Sequence, residues 1–564
     1  MPAAASIRAA WPWAVAAALV ALFLIEAASI RGKSLTYDAP VHLRYGLQVL
    51  HGDATRFDDS KMPVSAWNAL PMRVAEGLEP GPVRDFLAAD GTARYPTMLA
   101  SLVLAWLVFR WSRELYGLGA GFLSLTLHLL DPNLLAHSRF VTTDLYAALT
   151  VALALYTFWR FLGSDPGSRP RRGWGVAAAL AFGLAQVAKY SGAYLAPVLL
   201  LVAALRHLPA LAADLRRRSW RRLGARLGAS AAWCALFAAG FLLVVHAAFL
   251  FQNSFHPLAE YRFRSEPFRE LQAELTGVWP PSWPALRVPA PYPYVEGLDW
   301  VLSRERTGRG YGDSYLLGET RRGEGFAGYF VIASLYKVPL PTQIVWLAAA
   351  VVYAAHVARR KGGRPGFDLA RDGVFLLVPI AFFTVYFNVF FRAQMGIRYF
   401  LPVFPLLHVF AGCLLAPPVW GELRRGARAR LAAVGALLGV WLAASVLSYY
   451  PHLLPYMNEL LPERRLAYRV LSDSNLDWGQ DIDAVERYLA ENPEVVWQPD
   501  EPTAGRILVG TNWLTGVFAK WGVGDSWIFG RFEPVGHFRY SHLFFEVSEE
   551  DAARARGELE REPQ

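Results

Sequence analysis

Apolar residues run in long blocks along most of this chain, and polar residues gather in the gaps between them. A helix needs about 20 consecutive apolar residues to cross the hydrocarbon core of a bilayer, with about 17 as the lower bound. Residues 11–30 meet that length, and further runs lie at 96–111, 118–137, 144–161, 174–189, 191–206, 228–251, 328–356, 373–391, 399–418 and 431–449. Arg8 precedes the first run and no clean small-residue cleavage site follows it, so it reads as an anchor rather than a removed signal peptide. The pattern changes after residue 450. Residues 481–491 have the period of an amphipathic helix, and 506–510 and 543–547 read as strands. The expected architecture is a polytopic α-helical membrane protein with about 11 transmembrane helices over 1–450, followed by a small α/β domain over 451–564.

The gaps decide the sidedness. Arginines crowd four of them: Arg160, Arg169, Arg171 and Arg172; Arg206, Arg216, Arg217, Arg218, Arg221, Arg222 and Arg226; Arg359, Arg360, Lys361, Arg364 and Arg371; and Arg424, Arg425, Arg428 and Arg430. The excess of Lys and Arg in cytoplasmic loops places these four inside. Parity then requires a tight helical pair turning near Lys189-Tyr190-Ser191-Gly192. It puts the long loops 31–95 and 252–327, the short segments 131–143 and 392–398, and everything after 450 on the outer side.

Composition agrees with a membrane protein. Of 564 residues 54% are apolar and only 18% are charged, against about 25% in soluble domains. The net charge of +9 is spread between apolar runs rather than over one soluble face, which argues against nucleic acid as a partner. Cys234 and Cys413 both lie in apolar runs and form no metal-ligand spacing or disulfide framework.

The candidate chemistry collects on the outer side, where charged groups near membrane depth are costly and usually functional. Thr36-Tyr37-Asp38-Ala39-Pro40-Val41-His42 follows the first span, and Asp38 there reads either as a helix cap or as a general base. Thr142-Thr143-Asp144 opens the fourth span with the same two readings. Arg94, Lys189, Lys337 and Arg398 share that side. Singly each could snorkel to the interface; together they suit an anionic group such as a lipid phosphate. Asp473-Ser474-Asn475-Leu476-Asp477-Trp478-Gly479-Gln480-Asp481 opens the tail and reads as a carbohydrate contact or as a turn leading into a helix.

In order and sidedness these motifs resemble the GT-C glycosyltransferases that use a lipid-linked sugar. The nearest likeness is to the phospholipid carrier-dependent group, which includes protein O-mannosyltransferases and bacterial aminoarabinose transferases acting on lipid A. The resemblance rests on the Asp-bearing first outer loop, the Thr-Thr-Asp, the Lys of the Ala-Lys-Tyr turn, the Gly-x-Arg-Tyr-x-Leu-Pro stretch and the Asp-Ser-Asn-Leu-Asp-Trp-Gly-Gln stretch. It implies an inverting transfer of a sugar from a polyprenyl-phosphate donor at the periplasmic face of a bacterial inner membrane. Asp38 would be the general base and Asp144 its helper. Lys189, Arg398, Arg94, Lys337 and Lys61 would contact the donor phosphate, and His42, Asp477 and Trp478 the sugar or acceptor. The family's paired acid is replaced by Ala39, and its Lys-Pro-Pro segment by Lys61-Met62-Pro63. The acceptor could be a protein, lipid A or a glycan. No cofactor or metal is required on this reading, although some other GT-C enzymes use a divalent metal. No P-loop or dinucleotide fingerprint is present. A transporter or flippase of lipid-linked sugars would share the spans. It needs charges reaching a central cavity from both sides, whereas the acids here cluster near one.

Overall fold

Residues 2–55, 61–163, 171–280, 283–308, 313–359, 369–421, 423–517 and 526–561 are described by a computed structural model. Among them, eight helices are long and apolar enough to cross a membrane: Ala10–Ser29, Thr92–Tyr116, Asp144–Leu162, Tyr190–Arg216, Trp220–Ala248, Leu340–Ala358, Asp372–Phe390 and Arg425–Leu447. The remaining expected runs are shorter or interrupted, so the expected count of about 11 is not reached by full-length helices. The 118–137 run ends its first helix at Leu129. Asp131 then accepts from the backbone of Asn133 at 2.9 Å and Leu134 at 3.1 Å and starts the separate Pro132–His137 turn. The 328–356 run divides into Tyr329–Lys337 and Leu340–Ala358, because Pro339 holds Val338 extended and supplies no N–H. The 399–418 run is a 3-10 turn, the Val403–Ala411 helix and a second 3-10 turn. The 174–189 run is the 17-residue helix Arg172–Ala188.

The expected turn at 189–192 is present. Lys189 is extended, Gly192 donates back to its carbonyl at 2.8 Å, and Gln186 Nε2 holds the Gly192 carbonyl at 2.7 Å. Arg160, Arg172 and the arginines at 216–222 therefore stand at the ends of their helices remote from Asp144 and Lys189. Arg110 and Arg160 there share the Glu114 carboxylate at 3.0 and 2.6 Å. Of the other basic residues expected in these loops, Arg169, Arg360, Lys361 and Arg364 lie outside the described residues.

After the last long helix the chain forms a four-stranded sheet in the spatial order Val496–Trp497, Gly505–Gly510, His542–Val547, Gly536–Phe538. The first pair is parallel and the others antiparallel. The two strands and the helix expected from sequence are therefore present, the helix as Ile482–Glu491. Alternation along Gly505–Gly510 puts successive side chains on opposite faces. Ile507, Val509 and Phe545 join the same buried core as Trp111, Phe330 and Phe404 of the membrane part, whereas Leu508 and Phe544 pack with Val485 on the other face. The tail and the spans thus bury apolar surface against each other.

Candidate active site

Asp38 directly precedes the Ala39–Leu50 helix, where Pro40 suits the first turn because the N–H it lacks would have had no partner. The Asp38 carboxylate makes no capping hydrogen bond. It turns instead to Arg398, whose Nη1 lies 3.4 Å from Oδ2. Asp144 is the first residue of its helix, and neither it nor Thr143 caps that helix through a side chain. Its carboxylate, only 2% exposed, takes Lys189 Nζ at 2.5 Å, with Arg398 Nη1 at 3.9 Å from its other oxygen. Tyr399 completes this wall: its ring lies 4.3 Å from Lys189 Nζ and 5.2 Å from the Arg398 guanidinium.

These groups line one cavity of about 270 Å³ together with His42, Lys61, Trp300, Val301 and Glu305. Three cations and two aspartates thus converge on a space the size of a small sugar or phosphate. Burial pushes the Asp38 carboxyl up, but the charges of Arg398 and Lys61 outweigh it and hold it below its ordinary value. Burial, reinforced by Lys61, lowers His42 to about 3, so its ring is neutral at pH 7. Its Nδ1 pairs with the Ser65 hydroxyl at 2.9 Å.

Other residues expected from sequence do not line the cavity. Arg94 is buried and donates to the Lys33 carbonyl at 2.8 Å. Lys337 is 1% exposed and donates to the carbonyls of Leu454 and Asn475. Asp477 is buried and accepts from the Gly479 backbone at 2.9 Å. Trp478 touches the site indirectly, its ring 4.1 Å from the Arg398 guanidinium.

Glu305 is the acid that pattern reading missed. It stands near the end of the Tyr292–Thr307 helix, 4% exposed, and its Oε2 accepts from the hydroxyls of Tyr194 and Tyr386. Burial raises it to about 7 against the downward pull of both tyrosine hydroxyls and Lys189. The only sequence signal is a Glu in a polar helix, and nothing local says which face turns inward. Among the described residues, no group of three or more His, Cys, Asp or Glu side chains is arranged to hold a metal ion.

A second, apolar cavity of about 600 Å³ runs between the helices Leu195–Arg216 and Trp220–Ala248. Gln186 and Tyr294 line one end of it, and Leu162, His207 and Ser230 line it near the arginine-rich end. Leu298 of its lining and Trp300 of the polar cavity both belong to the helix Tyr292–Thr307.

Residues 88–242 match the dolichyl-phosphate-mannose-protein mannosyltransferase family. That stretch holds Asp144 and Lys189 but not Asp38, Lys61, Glu305 or Arg398. Over it the chain is similar to a family of glycosyltransferases. Among solved structures, ArnT from Cupriavidus metallidurans bound to undecaprenyl phosphate is similar at 15% identity over 95% of this chain and 97% of that one, with a TM-score of 0.45. Its apo form is similar at 17% identity over 86% and 73%, also at 0.45. The archaeal oligosaccharyltransferase AglB from Archaeoglobus fulgidus, in complex with an inhibitory peptide and a dolichol-phosphate, is similar at 13% identity over 85% and 60%, again at 0.45. No curated protein matches the chain.

Proposed function

We propose that this chain is an inverting glycosyltransferase that moves a sugar from a polyprenyl-phosphate donor to an acceptor on the outer side of a bacterial inner membrane. One observation carries the reading: two aspartates and three cations line a single cavity, and the helix Tyr292–Thr307 that lines it also lines an apolar groove between long apolar helices. The cations suit the donor phosphate, Lys189 as a point charge and Arg398 as a planar fork. The groove suits the prenyl chain. The arginine-rich helix ends on the far side are the expected cytoplasmic face, which supports an outward-facing cavity.

Asp38 acts as general base. The acceptor oxygen or nitrogen attacks the anomeric carbon, its proton passes to the Asp38 carboxylate, and the bond from that carbon to the phosphate oxygen breaks with its electron pair on the oxygen. Attack opposite the leaving group inverts the anomeric centre. The leaving phosphate gains negative charge, and Lys61, Lys189 and Arg398 stabilise it more strongly than the ground state. Arg398 is held loosely, at 3.4 and 3.9 Å from the two aspartates. An arriving phosphate would draw its charge away from Asp38, whose basicity would rise once donor is bound. Asp144, paired to Lys189, positions that lysine.

Lys189→Ala and Arg398→Ala should each weaken binding of undecaprenyl phosphate by roughly tenfold or more, the scale of one lost charge-assisted hydrogen bond. Lys189→Arg should recover only part of it. Equilibrium binding to purified protein in nanodiscs is the check, and wild-type affinity in both alanine variants would remove these cations from the donor site. In the same nanodiscs, transfer of labelled sugar to an acceptor supports the enzyme, whereas movement of the whole lipid between leaflets supports a flippase.

A further inference from the structure

The two segments that carry the proposed base and the proposed phosphate clamp are both irregular. Asp38 ends the stretch 30–38, and Arg398 sits in the 3-10 turn Ile397–Phe400, 360 residues away. Backbone outside a helix or sheet must find hydrogen-bond partners elsewhere when it is buried. Both segments find them in one place. Ser34 N donates to the Gln480 carbonyl at 3.0 Å and Tyr37 N to the Trp478 carbonyl at 3.1 Å. Ile397 N donates to Asn475 Oδ1 at 2.9 Å, and the Ser474 hydroxyl donates to the Met395 carbonyl. Between these two sets of bonds, the Trp478 ring lies 4.1 Å from the Arg398 guanidinium.

The bridging stretch is itself fixed at both ends. Asn475 Nδ2 donates to the Ser472 carbonyl and the Tyr329 hydroxyl, both at 2.9 Å. Asp481, buried, takes Lys33 Nζ at 2.6 Å, Arg539 Nη1 at 3.1 Å and the Ser541 hydroxyl at 3.3 Å. Arg539 also donates to the Gly32 carbonyl at 2.8 Å. The acid- and amide-rich motif that reads as a sugar contact in sequence is therefore engaged with the chain itself.

We propose that residues 473–481 are the positioning element of the cavity: they set the separation of the Asp38 carboxylate from the Arg398 guanidinium, with Asn475 as the positioning residue on the Arg398 side and Asp481 on the Asp38 side. Neither touches the cavity. Their effect passes through the backbone they hold. Misplacing a reacting group by about 1 Å costs on the order of a hundredfold in rate, so the tail belongs to the active site although it contributes no group to it. The catalytic consequence rests on the function proposed above; the mechanical claim does not.

Hydrogen exchange read by mass spectrometry on the full chain in nanodiscs tests the two sides separately. Asn475→Ala should speed exchange in 394–400 and leave 31–38 protected, and should weaken undecaprenyl phosphate binding by about tenfold, the scale of one hydrogen bond. Asn475→Asp, which keeps the acceptor for Ile397 N, should recover part of both. Asp481→Asn should speed exchange in 31–38 and leave 394–400 and undecaprenyl phosphate affinity unchanged, while turnover falls. If Asp481→Asn does not fold, Arg539→Gln loosens the same side more gently and should move 31–38 in the same direction. Unchanged exchange in both segments, or a rise spread equally over the long helices, would overturn the proposal. A wild-type protein that does not bind undecaprenyl phosphate would count against the proposed function, and the exchange pattern alone would then decide the positioning claim.

Discussion

Asp38 stands one residue before a helix and caps nothing, while Asp144 opens a helix and gives its carboxylate to Lys189. Local sequence supports capping at both positions, because Asp, Asn, Ser and Thr all satisfy first-turn N–H groups. What draws these carboxylates elsewhere is Arg398 and Lys189, which only the fold brings near. Glu305 gives a test at the same scale. Its carboxyl titrates near 4.5 ordinarily and about 7 when folded, so the folded protein binds the proton more tightly. The stabilisation it contributes is complete below 4.5 and is lost as pH rises through 7, by at most about 1.4 kcal/mol per pH unit. Thermal unfolding of wild type should therefore fall relative to Glu305→Gln between pH 5 and 8. Parallel pH curves for the two proteins would show that Glu305 does not hold that proton. Asp38, Lys189 and Arg398 were legible from sequence because they flank apolar runs. Glu305 was not, because the inward face of a polar helix is decided by packing. Lys337 and Arg94 misled for the opposite reason: a cation beside a span looks available until carbonyls bury it.

At the scale of elements, glycine reports how closely the tail approaches the Arg398 turn. Gly117 and Gly396 adopt nearly the same backbone, with φ of 100° and 101°. A Cβ at Gly117 would meet nothing within 4 Å, whereas one at Gly396 would lie 2.4 Å from the Ser474 hydroxyl. Alanine should cost about 1–3 kcal/mol of backbone strain at either site. Gly396→Ala should cost more than Gly117→Ala, and only Gly396→Ala should weaken undecaprenyl phosphate binding. Denaturation and binding measured on both variants check this, and equal behaviour would mean that the tail does not press on that turn. The helix breaks at 130–132 and 338–339 were partly written in Asp131-Pro132 and Pro339. Hydropathy averaged over a full span passes over such breaks; among the described residues eight full-length helices stand where about 11 were expected, the runs 118–137 and 399–418 being interrupted and 174–189 being a 17-residue helix.

At the scale of the whole molecule, arginine-rich helix ends stand remote from the polar cavity. Concentration of arginine at the far ends of the Asp144–Leu162, Arg172–Ala188 and Tyr190–Arg216 helices sets the expected orientation. A reporter fused after residue 564 should be active only outside the cytoplasm. Activity only inside would invert the orientation and move the cavity to the other face. Periodicity and charge were enough to read this layout. They were silent on the joint between the tail and the spans, because bonds such as those of Ile397 to Asn475 and Lys33 to Asp481 link residues 78 and 448 positions apart and leave no local pattern. The central claim, that Asp38 is the base of a sugar transfer, meets its most direct test in one substitution. Asp38→Asn keeps size and removes the proton acceptor. The purified variant should fold and bind undecaprenyl phosphate like wild type, yet transfer sugar at least about 100-fold more slowly, the usual range for a lost general base. Near-normal transfer by that variant would contradict the account.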